Sequence, residues 1–263
     1  MNSLFEPLNA EKILSVIYPH CRSALAKLEI FETINSTNQY LLEHAKEGCA
    51  GWVCLAEEQT AGRGRCGRTW FAAHGTSILC SLLWRFSKVL PNVSSLSIAI
   101  GVMVVRALKK HGVSVGIQLK WPNDVLFSGR KLAGILLERR SENIVIGLGL
   151  NVNLPEPLDA GRIDLVEILN RPTIERNNLA GLILNELLSG LSQYEEEGLA
   201  AFMEEWQMYD FLIGKEVTVH TPEKIIPGKA QGISEQGELL VLDKAHTIQR
   251  FCYGEVSIRS VES

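Results

Sequence analysis

Gly62-Arg63-Gly64-Arg65-Cys66-Gly67-Arg68-Thr69-Trp70 sets three glycines and three arginines within its first seven residues. Glycine lets a backbone take angles other residues avoid and approach a ligand closely. Arginine supplies charged, forked donors that suit phosphate or carboxylate. The spacing predicts an anion-binding loop. It lacks the Gly-Lys-Ser/Thr ending of a P-loop, so that phosphate cradle is excluded. On these residues alone, an Arg-Gly loop that touches RNA and a solvated turn also fit. Three other segments sharpen the reading: Ser36-Thr37-Asn38, Lys120-Trp121-Pro122-Asn123-Asp124 and Gly129-Arg130-Lys131-Leu132-Ala133-Gly134.

The rest of the chain bounds what that loop can serve. Its 263 residues suffice for one large domain, or for a main domain with a small one. Net charge is −4, whereas general nucleic-acid binding favours a basic domain. Positive charge concentrated in one loop of an acidic chain suits a small anionic ligand. Six cysteines occur without a Cys-x-x-Cys pair, which predicts reduced thiols in the cytoplasm and neither zinc nor a disulfide framework. Residues 1–7 lack the basic and apolar regions of a signal peptide. The uncharged run between Lys88 and Arg106 contains Pro91 and Asn92, so it reads as a loop and a buried helix, and no membrane partner is expected.

The local patterns predict an α+β fold. Asn9 caps a short helix over 9–18 that turns Ile13, Leu14 and Ile17 inward. Strands are expected at 28–34, 52–56, 76–86 and 144–152. Ser36 or Thr37 caps a helix reaching about Lys46. A second helix runs from Leu96 to Lys110. Residues 117–127 and 132–138 form a hairpin about Ser128-Gly129. Residues 153–176 read as a long loop with a short helix. Asn177 or Asn178 then caps a helix, and another helical stretch ends near Trp206. Past Gly214 come short strands at 216–220, 230–233, 239–242, 248–251 and 256–259. The expected division is a main domain, 1–213, and a small β-barrel, 214–263, that leans on it because so few residues make a marginal core alone.

Each candidate side chain has a plain structural use beside a chemical one. Lys131 and Arg130 should point to opposite faces of a strand, so one can enter a site. Asp124 can cap a turn or hold magnesium against phosphate oxygens. Lys120 can be a surface charge or a phosphate partner. Ser36-Thr37-Asn38 marks a helix N-terminus, whose free N–H groups can also meet a polar ligand. Trp70 can steady the loop or fill core. No Ser-His-Asp arrangement is present.

In order and spacing the four segments resemble the catalytic core of biotin protein ligases. Glu58-Gln59-Thr60-Ala61 and Gly147-Leu148-Gly149-Leu150-Asn151-Val152-Asn153 add two further matches. The resemblance runs from about residue 30 to the C-terminus. It implies a class II synthetase-like biotin/lipoate ligase domain, with a central mixed β-sheet flanked by helices, and a small C-terminal SH3-like β-barrel. It also implies a two-step reaction. Biotin carboxylate attacks the α-phosphate of ATP, giving biotinyl-5′-AMP and pyrophosphate. A lysine of the biotin carboxyl carrier protein of acetyl-CoA carboxylase then takes the biotinyl group and releases AMP. Mg²⁺ assists the first step.

By the same resemblance, Ser36, Thr37, Asn38 and Gln59 bind the biotin head. Arg63, Gly64 and Arg65 fold over biotin and the adenylate, Gly134 and Leu136 line the biotin pocket, and Arg68, Lys120 and Asn151 face the nucleotide. Lys131 and Arg65 are the catalytic candidates, and Asp124 is the candidate for Mg²⁺. Cys66 stands where relatives often carry arginine. Homodimerisation through the main sheet is implied by relatives. Only 35 residues precede Ser36, too few for the winged-helix domain some relatives carry, so no operator DNA is expected as a partner. A lipoate protein ligase is the nearest alternative enzyme. A non-catalytic biotin sensor or an RNA-binding module is the alternative from another class.

Overall fold

The computed structural model describes residues 5–45, 50–87, 94–155, 159–220 and 225–252. Strands β1 (Lys27–Ile34) and β2 (Trp52–Gln59) are joined through helix α3 (Thr37–His44) and lie parallel, as a helical crossover requires. β3 (Ser77–Arg85) turns back antiparallel to β2. Helix α4 (Ser94–Lys110) then carries the chain to the far edge of the sheet. From there β4 (Ile117–Lys120), β5 (Asp124–Phe127), β6 (Arg130–Arg140) and β7 (Asn143–Asn151) return as an antiparallel meander. β7 closes on β3, giving the order β1-β2-β3-β7-β6-β5-β4. The expected mixed sheet is therefore present, and β1–β2 is its one parallel pair among the described residues.

Helices cover both faces. α3 sits on one, over a small cluster of Leu41, Trp52, Cys54, Leu83 and Val145. On the other lie α1 (Ala10–Val16), α4, α6 (Arg176–Glu197) and α7 (Ala200–Tyr209), around the main core. Strand β3 is buried on both faces except at Arg85, which explains its continuous apolar run. Short helices α2 (Pro19–Arg22) and α5 (Leu165–Leu169) are the remaining α-helices among the described residues. The short helix expected in the 153–176 loop is α5; α2 gave no clear signal beyond Pro19 at its first turn.

Asn9 caps α1 as expected, its Oδ1 accepting from Lys12 N at 3.0 Å. The expected cap of α6 does not hold. That helix begins at Arg176, with Glu175 at the cap position and no side-chain cap bond. Asn177 instead clasps the N-terminal segment: Nδ2 donates to Pro7 O and Oδ1 accepts from Asn9 N. A tertiary contact took the side chain that local propensity assigned to the helix end.

The C-terminal strands β8 (Glu216–His220), β9 (Ile225–Ile233), β10 (Leu239–Asp243) and β11 (Ile248–Phe251) form a separate antiparallel sheet ordered β11-β10-β9-β8. The expected strand at 256–259 lies outside the described residues. Val217, Val219, Ala230, Leu239, Val241 and Phe251 join the main apolar core. The turn between β9 and β10 reaches the large sheet, where Gly237 O accepts from Trp121 Nε1 at 2.9 Å.

Candidate active site

A bare strip of backbone in the middle of the large sheet makes the site possible. Gly134 of β6 pairs with Gly149 of β7, and Leu136 pairs with Gly147. A Cβ on Gly149 would lie 2.4 Å from the Trp70 ring, and one on Gly147 would lie 2.3 Å from Asn38 Oδ1. Glycine in a strand here marks close approach by other groups. Above the strip opens a cavity of about 280 Å³. It is small but near the size of a compact ligand site.

The polar end of the cavity is built on the N-terminus of α3. Ser36 caps the helix, its Oγ accepting from Gln39 N. Thr37 N and Thr37 Oγ1 both donate to Gln59 Oε1, at 2.8 and 3.0 Å. Ser81 Oγ on β3 lies 2.7 Å from Thr37 Oγ1 and 2.5 Å from Asn38 Oδ1. Asn38 Nδ2 donates to Glu138 Oε2 at 2.9 Å. Ser36, Thr37, Asn38 and Ser81 are all buried, so this is a fixed set of donors and acceptors rather than a solvated helix end.

The other end is cationic. Arg65, Arg68, Lys120 and Lys131 line it, with Asp124 as the carboxylate among the cavity's lining residues. Lys131 Nζ sits 2.7 Å from Asp124 Oδ1, off the direction of a hydrogen bond, so the contact is ionic. Arg130 points the other way and pairs with Glu167, as strand alternation predicts. Burial lowers the pKa of Lys120; the Asp124 carboxylate opposes that shift, while Lys131 and Arg68 add to it. The Cys80 thiol on the cavity wall is pushed up to about 12 by burial. A neutral thiol offers no thiolate nucleophile.

The Gly62–Trp70 segment is a hairpin of its own over this cavity. Trp70 N donates to Gly62 O and Gly64 N donates to Arg68 O, at 2.9 and 2.7 Å. Cys66 and Gly67 turn the chain with φ of 54° and 73°. Arg65 Nη1 reaches across to Asn123 Oδ1 at 3.1 Å. Arg63 Nη2 reaches Glu138 Oε2 at 2.8 Å. Lys131 Nζ and Arg162 Cζ lie 5.5 and 5.6 Å from the Trp70 ring centre, so Trp70 belongs to the site as well as to the packing.

Of the residues singled out in the sequence, Ser36, Thr37, Asn38, Gln59, Arg63, Gly64, Arg65, Arg68, Lys120, Asp124, Lys131, Gly134 and Leu136 all border the cavity. Asn151 does not. Its side chain is wholly buried, with Nδ2 donating to Lys131 O and Ile163 O at 3.1 and 3.0 Å. Both amide hydrogens are spent on backbone, which ties Asn151 to the strand that presents Lys131, and its Oδ1 accepts from Arg162 Nη2 at 3.3 Å. Ser81, Asn123 and Glu138 were not anticipated. Ser81 carried a signal, a hydroxyl within the apolar run from Ile78 to Trp84. Glu138 carried none beyond a charge near a strand end.

Comparison with known proteins finds matches over most of the chain. Residues 30–151 match the biotin/lipoate A/B protein ligase family, and residues 212–259 match the biotin protein ligase C terminal domain. The bifunctional ligase/repressor BirA of Escherichia coli is 37% identical over 99% of this chain and 82% of its own length. The biotin–[acetyl-CoA-carboxylase] ligase of Mycobacterium tuberculosis is 36% identical over 82% of this chain and 84% of its own. The structure of the Aquifex aeolicus biotin protein ligase with biotin and ATP superposes with a TM-score of 0.80 at 30% identity, covering 89% of this chain and 99% of that one.

Proposed function

Because this chain belongs to the biotin protein ligase family, we propose that its cavity activates biotin with ATP and passes the biotinyl group to a carrier-domain lysine. The observation that carries the reading is one cavity that joins a buried set of polar donors and acceptors to a cluster of cationic side chains. A ureido-type head group needs paired donors and acceptors. A carboxylate approaching a triphosphate needs positive charge.

Ser36, Thr37, Asn38 and Gln59 hold the biotin head, with Gly134 and Leu136 beside the bicyclic ring. Arg63, Gly64 and Arg65 close over the acid. Lys131 stands at the junction and binds the carboxylate and the α-phosphate together. Arg68 and Lys120 face the remaining phosphates. Biotin carboxylate oxygen attacks the α-phosphorus, the bond to the β-phosphate oxygen breaks, and pyrophosphate leaves. The acceptor amine then attacks the anhydride carbonyl, and AMP leaves. Charge-assisted hydrogen bonds of about 1.5–3 kcal/mol each offset the repulsion between two anions. Alignment of the reactants supplies further acceleration without a protein nucleophile.

Mg²⁺ fits the donor set through Asp124, the carboxylate among the lining residues, whose Oδ1 makes no hydrogen bond and would exchange its ionic contact with Lys131 for the metal. Magnesium is usually held by one or two carboxylates plus substrate phosphates, and when bound it would neutralise phosphate charge. Asp124→Asn should raise the Mg²⁺ concentration needed for ATP binding; an unchanged requirement would remove Asp124 from that role.

In this reading residues 1–213 form the catalytic domain and 214–263 the accessory barrel. The partner is a biotin carboxyl carrier domain, and the setting is the cytoplasm. Among the described residues no helix is long and apolar enough to cross a membrane. A homodimer joined through the main sheet is part of the reading; sedimentation that finds a monomer at every concentration, with and without biotin and ATP, would remove it. The net charge of −4 predicts no tight binding to duplex DNA; salt-sensitive submicromolar anisotropy binding would contradict that.

Lys131→Ala tests the chemical role. Pyrophosphate release should fall roughly 10²–10³-fold, the usual cost of losing one transition-state partner, while biotin still binds in calorimetry. Retained release would reassign the lysine, and a sensor would show no release in the unmodified protein.

A further inference from the structure

Glu138 has no part in the chemistry above, yet its carboxylate lies where the polar end of the cavity meets the hairpin. Oε2 accepts from Asn38 Nδ2 at 2.9 Å and from Arg63 Nη2 at 2.8 Å. A carboxylate only accepts hydrogen bonds. With Leu136 O, a longer acceptor at 3.4 Å from Asn38 Nδ2, it sets which way the Asn38 amide faces, with Nδ2 toward Glu138 and Oδ1 toward Ser81 Oγ. The polar contacts then run without a gap from Gln59 through Thr37, Ser81 and Asn38 to Glu138 and Arg63. The hairpin has a second tie, Arg65 to Asn123, on the opposite side of the cavity. The Glu138 side chain is 25% exposed and that of Arg63 is 38% exposed, so the pair alone would be weakly worth forming. Sharing one oxygen with a buried amide makes it something more, since moving either donor disturbs the other.

We propose that Glu138 is a positioning residue that ties the Gly62–Trp70 hairpin to the polar end of the cavity, setting the Asn38 amide and the Arg63 side chain together. The proposal rests on the reading that this end takes the biotin head and that the hairpin closes over the activated acid. Its consequence is a slow escape of biotinyl-AMP before transfer.

The test compares the wild-type protein with Glu138→Ala, Glu138→Gln, Arg63→Ala and the Arg63→Ala/Glu138→Ala double variant. Each is measured for biotin KM, kcat of pyrophosphate release and the release rate of biotinyl-AMP. Glu138→Ala should raise biotin KM and speed release about tenfold each, with kcat within about twofold, the pattern of lost uniform binding. Glu138→Gln keeps an acceptor but no charge and should fall between. The double variant should be little worse than the poorer single, since both remove one coupled contact. Unchanged KM and release in a folded Glu138→Ala, or full additivity, would overturn the proposal. Should Glu138→Ala fail to fold, Glu138→Gln carries the same two readouts. A wild-type protein that forms no biotinyl-AMP would sink the ligase reading itself, whereas normal wild-type turnover with unaffected variants would sink only the role of Glu138.

Discussion

A Cβ on Gly147 would lie 2.3 Å from Asn38 Oδ1, inside a buried polar set that cannot move without breaking hydrogen bonds. Gly147→Ala should therefore weaken biotin binding at least tenfold and lower stability by about 1–3 kcal/mol, the usual range for overpacking. Biotin calorimetry and urea unfolding check both; normal affinity would mean the head group binds elsewhere. Lys120 makes a second prediction. Burial lowers its pKa, so the ammonium form is lost at a lower pH than for an ordinary lysine. A bound polyphosphate favours the ammonium. ATP affinity should then be full at neutral pH and fall as pH rises through the depressed pKa, and Lys120→Met should flatten that fall. Equal pH profiles for the two proteins would place the phosphates away from Lys120. At this scale the sequence was readable wherever unusual residue types clustered. It was silent on the packing around Asn151, because a motif position does not reveal that its amide donates to the carbonyls of Lys131 and Ile163.

The Gly62–Trp70 hairpin is the element on which closure depends. Its glycines allow the turn at Cys66-Gly67, and its arginines reach to Asn123 on one side and Glu138 on the other. It buries little apolar surface of its own, and such segments open at low free-energy cost. Biotin with ATP should slow trypsin cleavage at Arg63, Arg65 or Arg68 several-fold; equal cleavage with and without both ligands would contradict closure. The strands that frame it were legible because alternation, glycine turns and apolar runs each have a local cause. The start of α6 was not, because Asn177 serves the N-terminal segment seen only once the chain is folded. Glu138 was hidden for a like reason: its two partners lie 100 and 75 positions away in sequence.

Across the whole molecule the cavity depends on parts far from it. Arg176, wholly buried, holds the N-terminal segment through Glu6 O and the start of β3 through Ser77 O, and lies 2.7 Å from the buried Glu57 carboxylate. Arg176→Leu would leave Glu57 buried without its counter-charge and should cost about 3–5 kcal/mol. Urea unfolding checks this, and a loss below 1 kcal/mol would mean water reaches the pair. The C-terminal sheet shares the main apolar core and bonds Trp121 through Gly237, so heat should unfold the chain in one transition rather than two. The account's central claim is that the cationic and polar ends of one cavity join biotin to a nucleotide. The most direct test is pyrophosphate release with ATP and Mg²⁺, comparing biotin with lipoate, followed by label transfer to a carrier-domain lysine. Release with biotin alone, then transfer, is the predicted result; release with lipoate instead, or with neither acid, would contradict it.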